Sequence, residues 1–253
     1  MSTIGTPVPL ATVEEGIPTA DKQRRGARAR RIRGSRPGFW TYGILGAVFL
    51  SAVFPLYWSF VIGSGDSSTL RGDFPWIPGG NFIENALSVI SNPAVNFWPA
   101  LWNSIYSSFL IAAAVVITST LAGWAFAKLR FHGGPGLLIF VVATMAVPQQ
   151  LGVVPLYILF SELGWTGQIG AIIIPALTSA FGVFWMTQYL RQAVPDELIE
   201  AARVDGASMI RTFWTVGMTA ARPAAAMLFL FTFVGAWNNF FWPFIVLDRQ
   251  NPT

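Results

Sequence analysis

The sequence predicts an all-α integral membrane protein that crosses the bilayer five times, and three observations carry that prediction. Only 11% of the 253 residues are charged, against 53% hydrophobic. A soluble domain carries about 25% charge, so this chain cannot clothe a packed core in polar surface, and much of its exterior faces lipid. Five apolar stretches each run to about 20 residues or more, enough for a helix to cross about 30 Å of hydrocarbon. None of the five holds an Asp, Glu, Lys, Arg or His. Helices buried in a soluble core run shorter and show a polar face every third or fourth residue.

In chain order, residues 1–38 form a basic arm with Lys22, Arg24, Arg25, Arg28, Arg30, Arg31, Arg33 and Arg36, read as a disordered cytoplasmic tail. Residues 39–253 form one transmembrane domain. Its first span, 39–62, is too long for a cleaved signal sequence and sits behind too long an arm. The second, third, fourth and fifth spans fall at about 101–127, 136–160, 169–190 and 223–247. Fourteen of the sixteen basic residues lie in the arm, in the loop 128–135 and in the loop 191–222, leaving Arg71 and Arg249 for the opposite side. Basic residues mark the cytoplasmic face, so the N-terminus and both loops are expected there, in a multi-pass protein of the cell membrane.

The residue inventory excludes much chemistry. Without cysteine there is no disulfide scaffold, zinc-thiolate site, iron–sulfur cluster or cysteine nucleophile. The lone His132 has no ligand partner at metal spacing, and the glycine-rich piece Gly63–Gly65 lacks the lysine of a phosphate-binding loop. No catalytic constellation, metal site, cofactor or nucleic-acid site is expected, and any ATP is bound by a separate subunit. A carrier driven by protons or sodium keeps an ionisable group near mid-membrane, and these spans have none.

Amides do enter the spans: Asn103, beside Ser104, in the second, Gln149 and Gln150 in the third, Asn238 and Asn239 in the fifth. Two readings stand for them, hydrogen bonding between helices or lining of a polar substrate pathway. Pro55, Pro148, Pro155, Pro175 and Pro243 each remove a backbone donor inside a span and open kinks. Gly123, Ala125 and Ala127, with Gly43 and Gly46, offer small faces for close helix approach.

The loop 191–222 is the most specific part of the chain. Pro195 suits a first helical position, and Asp196 and Glu197 favour the positive end of a helix dipole. Gly206 suits the left-handed residue that ends a helix, and Ser208 can cap a second helix running through Phe213 and Trp214 toward the fifth span. Leu198, Ala201, Ala202 and Val204 give the first helix a modest apolar side, fit either for another protein's groove or for the membrane surface.

Glu200-Ala201-Ala202, three residues and then Gly206 resembles the EAA motif in the membrane subunits of binding-protein-dependent ABC importers. The string Glu200 to Ala207 is similar to the carbohydrate-permease form. Val147-Pro148, Val154-Pro155-Leu156-Tyr157 and Ala236-Trp237-Asn238-Asn239-Phe240-Phe241-Trp242-Pro243 resemble the second, maltose-type sugar permease. The resemblance covers about Phe39 to Thr253. It implies the helical bundle of a type I ABC importer permease and places the ATPase-coupling function on Glu200, Ala201, Ala202, Asp205 and Gly206. The partners it implies are a second permease chain, two ATPase subunits, an extracellular solute-binding protein and a sugar.

Two departures stand out. Where the family motif closes on a proline, this chain has Val216-Gly217-Met218-Thr219. Subfamily members usually have six spans, so the sequence is read as lacking the sixth, either by truncation or as a non-transporting interaction subunit. A permease for a non-sugar solute is the further alternative.

Overall fold

The computed structural model describes residues 38–66, 75–248 and 251–253. The basic arm through residue 37, Arg71 and Arg249 therefore lie outside the described residues. The chain divides into two compact bodies, residues 1–85 and 86–253.

In the first body a 26-residue helix, α1 (Phe39–Ser64), carries Pro55 without interruption. Most of its side chains stand exposed, as expected of a span whose solvent is lipid. Its C-terminal end is closed by a short segment in which the sequence predicts no span. Asn85 Nδ2 donates to the Gly63 and Gly65 carbonyls at 3.0 and 2.8 Å, supplying partners for groups that a helix end leaves orphaned. Gly79 N donates to Ser64 Oγ at 2.9 Å, and Tyr57 Oη donates to the Trp76 carbonyl at 2.6 Å. Asn85 belongs to a ten-residue helix, α2 (Phe82–Ser91), which was not expected.

The second body is organised on a 32-residue helix, α3 (Phe97–Lys128). The expected third span is not one helix. It divides into α4 (Gly134–Thr144), a 3-10 turn (Gln149–Gly152) and α5 (Val153–Glu162), with an 86° bend between the arms. Pro148 explains the break: it has no N–H, and its ring excludes helical geometry at the preceding residue. Pro155 is harmless, because it occupies the first turn of α5, where backbone N–H groups have no helical partner anyway.

The expected fourth span is broken similarly, into α6 (Gly170–Ile173), a 3-10 turn (Ile174–Ala176) and α7 (Ala180–Ala193), bent by 40°. Ser179 Oγ accepts from Gly182 N at 3.1 Å and starts α7. After the loop helices α8 (Asp196–Val204) and α9 (Met209–Thr212), a π-helical turn (Phe213–Gly217) leads into α10 (Met218–Trp237). The expected fifth span ends there and resumes as α11 (Phe241–Val246). At the stop the Asn238 side chain folds back on the helix: its Nδ2 donates to the Val234 carbonyl at 2.9 Å, beside the last helical bond from its own backbone N–H at 3.0 Å, a local bond that favours a helix end. Among the described residues three helical stretches are long and apolar enough to cross a membrane, or up to five if each bent pair is counted as one span.

The core is the mutual packing of α3, α7 and α10. The inward stripe of α3 is Ser108, Ala112, Val115, Ser119 and Gly123, all buried, and such small residues let helix backbones approach in a membrane. Met186, Thr187 and Leu190 of α7 and Ala221, Ala224 and Leu228 of α10 complete it. A Cβ on Gly123 would stand 2.6 Å from Met186 Cβ and 2.9 Å from Thr187 N. Gly217 is similar: its missing side chain leaves room for the Trp124 ring. Gly43 and Gly46 have nothing within 4 Å in this chain.

Candidate functional site

Two places carry function-bearing geometry, both in the second body. The first is the loop between α7 and α10. Pro195 is the residue before α8 rather than its first position: its backbone is extended, and Asp196 opens the helix. Lys128, the last residue of α3, donates from Nζ to Asp196 Oδ1 at 2.8 Å, so the start of α8 is tied to the end of the central helix. The Lys128 hydrogen bond, then its charge, hold the Asp196 carboxyl below the usual carboxylate range, and Arg130 adds to the effect. A carboxyl lowered in the folded state stabilises it above the unfolded value of about 3.9 and loses that contribution as the pH falls through the lowered value. Asp196→Asn is therefore expected to lower the thermal midpoint at pH 7, with the gap to the parent closing as the pH drops below about 3.9. A gap that does not narrow as the pH falls would refute the pairing.

The other end of α8 closes on Gly206 at φ +75°. Ala207 N donates to the Ala202 carbonyl at 2.9 Å and Gly206 N to the Arg203 carbonyl at 3.0 Å. These are the two bonds of a Schellman ending, which requires a left-handed residue at the glycine position. Ser208 Oγ then accepts from Arg211 N at 3.3 Å and caps α9, which continues through the π turn into α10 as one 29-residue stretch.

The apolar residues of α8 do not share one side. Ile199 is buried and anchors the helix, and it lies outside the apolar side of Leu198, Ala201, Ala202 and Val204 that the sequence predicts. Leu198, Ala201 and Val204 point outward, Val204 at 88% exposure. Glu200, Asp205 and Gly206 are also exposed, and Ala202 is half-buried. With Ile210 and Trp214 exposed beyond the turn, the loop presents a partly apolar outward face tied to α3 through Lys128.

The second place is a cavity of about 470 Å³ beside the break between α10 and α11. Asn238 and Asn239 line it with Ser104, Ser107 and Ser108 of α3 and the rings of Trp237, Phe240 and Phe244. Ser107 and Ser108 were not singled out from the sequence, although three serines at i, i+3 and i+4 on an apolar helix are a readable signal. The remaining candidates disperse. Asn103 Nδ2 donates to the Pro252 carbonyl at 2.9 Å, and Pro252 borders the cavity. Gln149 and Gln150 sit exposed on the 3-10 turn after Pro148, away from it. Next to the lining residues Ile172, Pro243, Leu247 and Pro252, three bonds hold the chain together: Trp242 Nε1 to the Ala171 carbonyl at 3.0 Å, Gly167 N to the Val246 carbonyl at 2.8 Å, and Asn251 Nδ2 to the Gly167 carbonyl at 2.7 Å.

Residues 119–249, which hold the whole loop 191–222 and the break at Asn238, match the family of binding-protein-dependent transport system inner membrane components. The chain belongs to that family. Other comparisons agree with a permease of this kind. An sn-glycerol-3-phosphate transport system permease protein of Yersinia pestis bv. Antiqua is 28% identical over 208 residues, covering 80% of this permease and 73% of the relative. Its counterpart in Salmonella typhi is 28% identical over 204 residues, covering 79% and 72%. A crystal structure of a bacterial ABC transporter involved in the import of the acidic polysaccharide alginate has a chain that superposes with a TM-score of 0.71, at 21% identity, over 94% of this permease and 80% of that chain. The permease is thus a multi-pass membrane component of an ABC importer, in a family of transporters rather than enzymes, with the all-α fold the sequence predicts.

Proposed function

We propose that this permease is the membrane subunit of an ATP-driven importer for a sugar or oligosaccharide. It forms half of the translocation pathway with a second permease chain, docks an ATPase dimer through residues 196–212, and receives solute from an extracellular binding protein. ATP is bound by the ATPases, and the N-terminus faces the cytoplasm. The supporting observation is that α8 is fixed at both ends to the membrane bundle, by Lys128–Asp196 and by the turn at Gly206 into α9 and α10, while its outward residues Leu198, Ala201 and Val204 stand exposed. A push or pull on α8 therefore reaches α3 and α10, the helices that bear the cavity. Closure of the ATPases would exchange an inward-open for an outward-open state, a two-state motion of packed bodies.

The solute reading rests on the cavity's amides, hydroxyls and rings, which suit sugar hydroxyls and ring faces. The names of the relatives favour a second reading, a small phosphorylated polyol. In a strain lacking this chain, restoring it should restore uptake of a neutral radiolabelled sugar. Asn239→Leu should reduce that uptake about tenfold through loss of one polar contact, with the ATPase still co-purifying. Uptake of glycerol phosphate alone would decide for the second reading, and unchanged sugar uptake in the deletion strain would refute the first.

A further inference from the structure

A second cavity, of about 480 Å³, lies where α3 ends and α4 and α7 meet the loop 129–133. Its chemistry differs from that of the solute cavity. Arg130, His132 and Arg191 line it with no Asp or Glu among the lining residues, and Phe126, Leu129 and Phe131 form an apolar wall. The Phe126 and Phe131 rings pack with centroids 5.8 Å apart, which fixes the wall. The acid that could have neutralised this cluster, Asp196, is held by Lys128 at 2.8 Å. Among the described residues neither the Arg130 nor the Arg191 side chain forms a hydrogen bond or ion pair, and Arg130 acts on the Asp196 carboxyl only through its charge. A cavity with two arginines and no bound acid is a site for an anion.

Position and wall chemistry narrow the anion. The uncharged stretch of α3 stops at Lys128, and α4 starts at Gly134, so the cavity stands where hydrocarbon gives way to headgroups. Along α4 the apolar surface continues outward from it, with Leu137, Ile139 and Phe140 at 48%, 69% and 65% exposure. A soluble anion would use the arginines and leave the rings idle. We infer that this cavity holds the phosphate-bearing headgroup of an anionic phospholipid, with Arg130 and Arg191 on the phosphodiester and an acyl chain lying along α4. The planar forks of the two arginines suit a phosphate better than lysine would. Because Arg130 is two residues from Lys128, such a lipid would sit beside the anchor of α8.

The test is retention of phosphatidylglycerol and phosphatidylcholine by the purified full chain in detergent, read by native mass spectrometry. The parent should retain phosphatidylglycerol selectively. Near an anionic lipid surface each basic group contributes about five-fold in affinity, so Arg130→Gln with Arg191→Gln should weaken retention roughly thirty-fold. The double lysine variant, which preserves charge, controls for folding and should keep most of it. Equal retention of both lipids by the parent, or undiminished phosphatidylglycerol on the double glutamine variant, would overturn the inference. So would displacement of the lipid by millimolar inorganic phosphate, which would make the site one for a soluble anion. Loss of the co-expressed ATPase from the glutamine variant, with lipid retained, would make it a protein contact instead.

Discussion

Gly206→Val is expected to cut ATP-driven uptake more than tenfold in the assembled transporter while ATP hydrolysis continues and the subunit still reaches the membrane. The effect comes from the backbone alone. A Cβ at Gly206 would meet nothing within 4 Å, yet the residue sits at φ +75°, where an ordinary L-residue costs about 1–2 kcal/mol and a β-branched one is a genuine outlier. Valine would relieve that strain by leaving the left-handed region, which breaks the bonds from Gly206 N to Arg203 and from Ala207 N to Ala202. The α8–α9 turn would then re-aim the exposed residues Glu200, Ala201 and Val204. The substitution series carries the argument: asparagine, which tolerates the left-handed conformation, should preserve most uptake, alanine should be intermediate, and valine should lose nearly all. Uptake by the valine variant equal to the parent's would sink the coupling role. Equal loss with asparagine and valine would point to the surface of the turn rather than to its conformation.

This turn was legible in the sequence because its signals are local: a glycine after a helical run, a serine three residues before a backbone N–H that needs a partner, and acids at the start of α8. The spans were legible as apolar segments but not as shapes. Pro148 and Pro155 look alike in a list of prolines, yet only Pro148 breaks the helix, since Pro155 falls where no donor is missed. That distinction depends on where the preceding helix stops, which packing decides. The amides behaved likewise. Asn238 and Asn239 face a cavity because α10 ends on them, whereas Gln149 and Gln150, with the same chemistry in the same kind of span, are turned to the exterior. Ile199 was hidden because a short helix with apolar residues on several sides has no single face that sequence alone can choose. The clamp of Asn85 on the end of α1 links positions about twenty residues apart with no periodic signature between them.

The largest loss of stability should follow from filling the crossing of α3 with α7. Gly123→Ala places a methyl 2.6 Å from Met186 Cβ and 2.9 Å from the backbone of Met186 and Thr187. Backbone cannot rotate away as a side chain can, so the two helices must part and the α3–α7 contact loosens along its length. Overpacking of this kind costs about 1–3 kcal/mol for a methylene-sized insertion, and Gly123→Val should exceed that and prevent a folded subunit. One helical turn or so away the same crossing offers a case that can be rescued. A Cβ on Gly182 would collide with Ser119 Oγ, but its next neighbour, Ser119 Cβ, stands at 3.2 Å. That hydroxyl is buried and has no hydrogen-bond partner among the described residues, so Ser119→Ala alone removes an uncompensated polar group and should be neutral or stabilising. Gly182→Ala should destabilise in the parent and much less on the Ser119→Ala background, a coupling that non-interacting sites would not show. Gly46→Ala, where nothing lies within 4 Å, serves as the control that shows the helix-propensity gain of the same exchange without a clash. Unfolding midpoints in bicelles would read the whole set. A parent-like midpoint for Gly123→Ala, or additive effects at Ser119 and Gly182, would mean that this crossing is looser than its backbone geometry implies and that small residues on α3 are not what lets the core close.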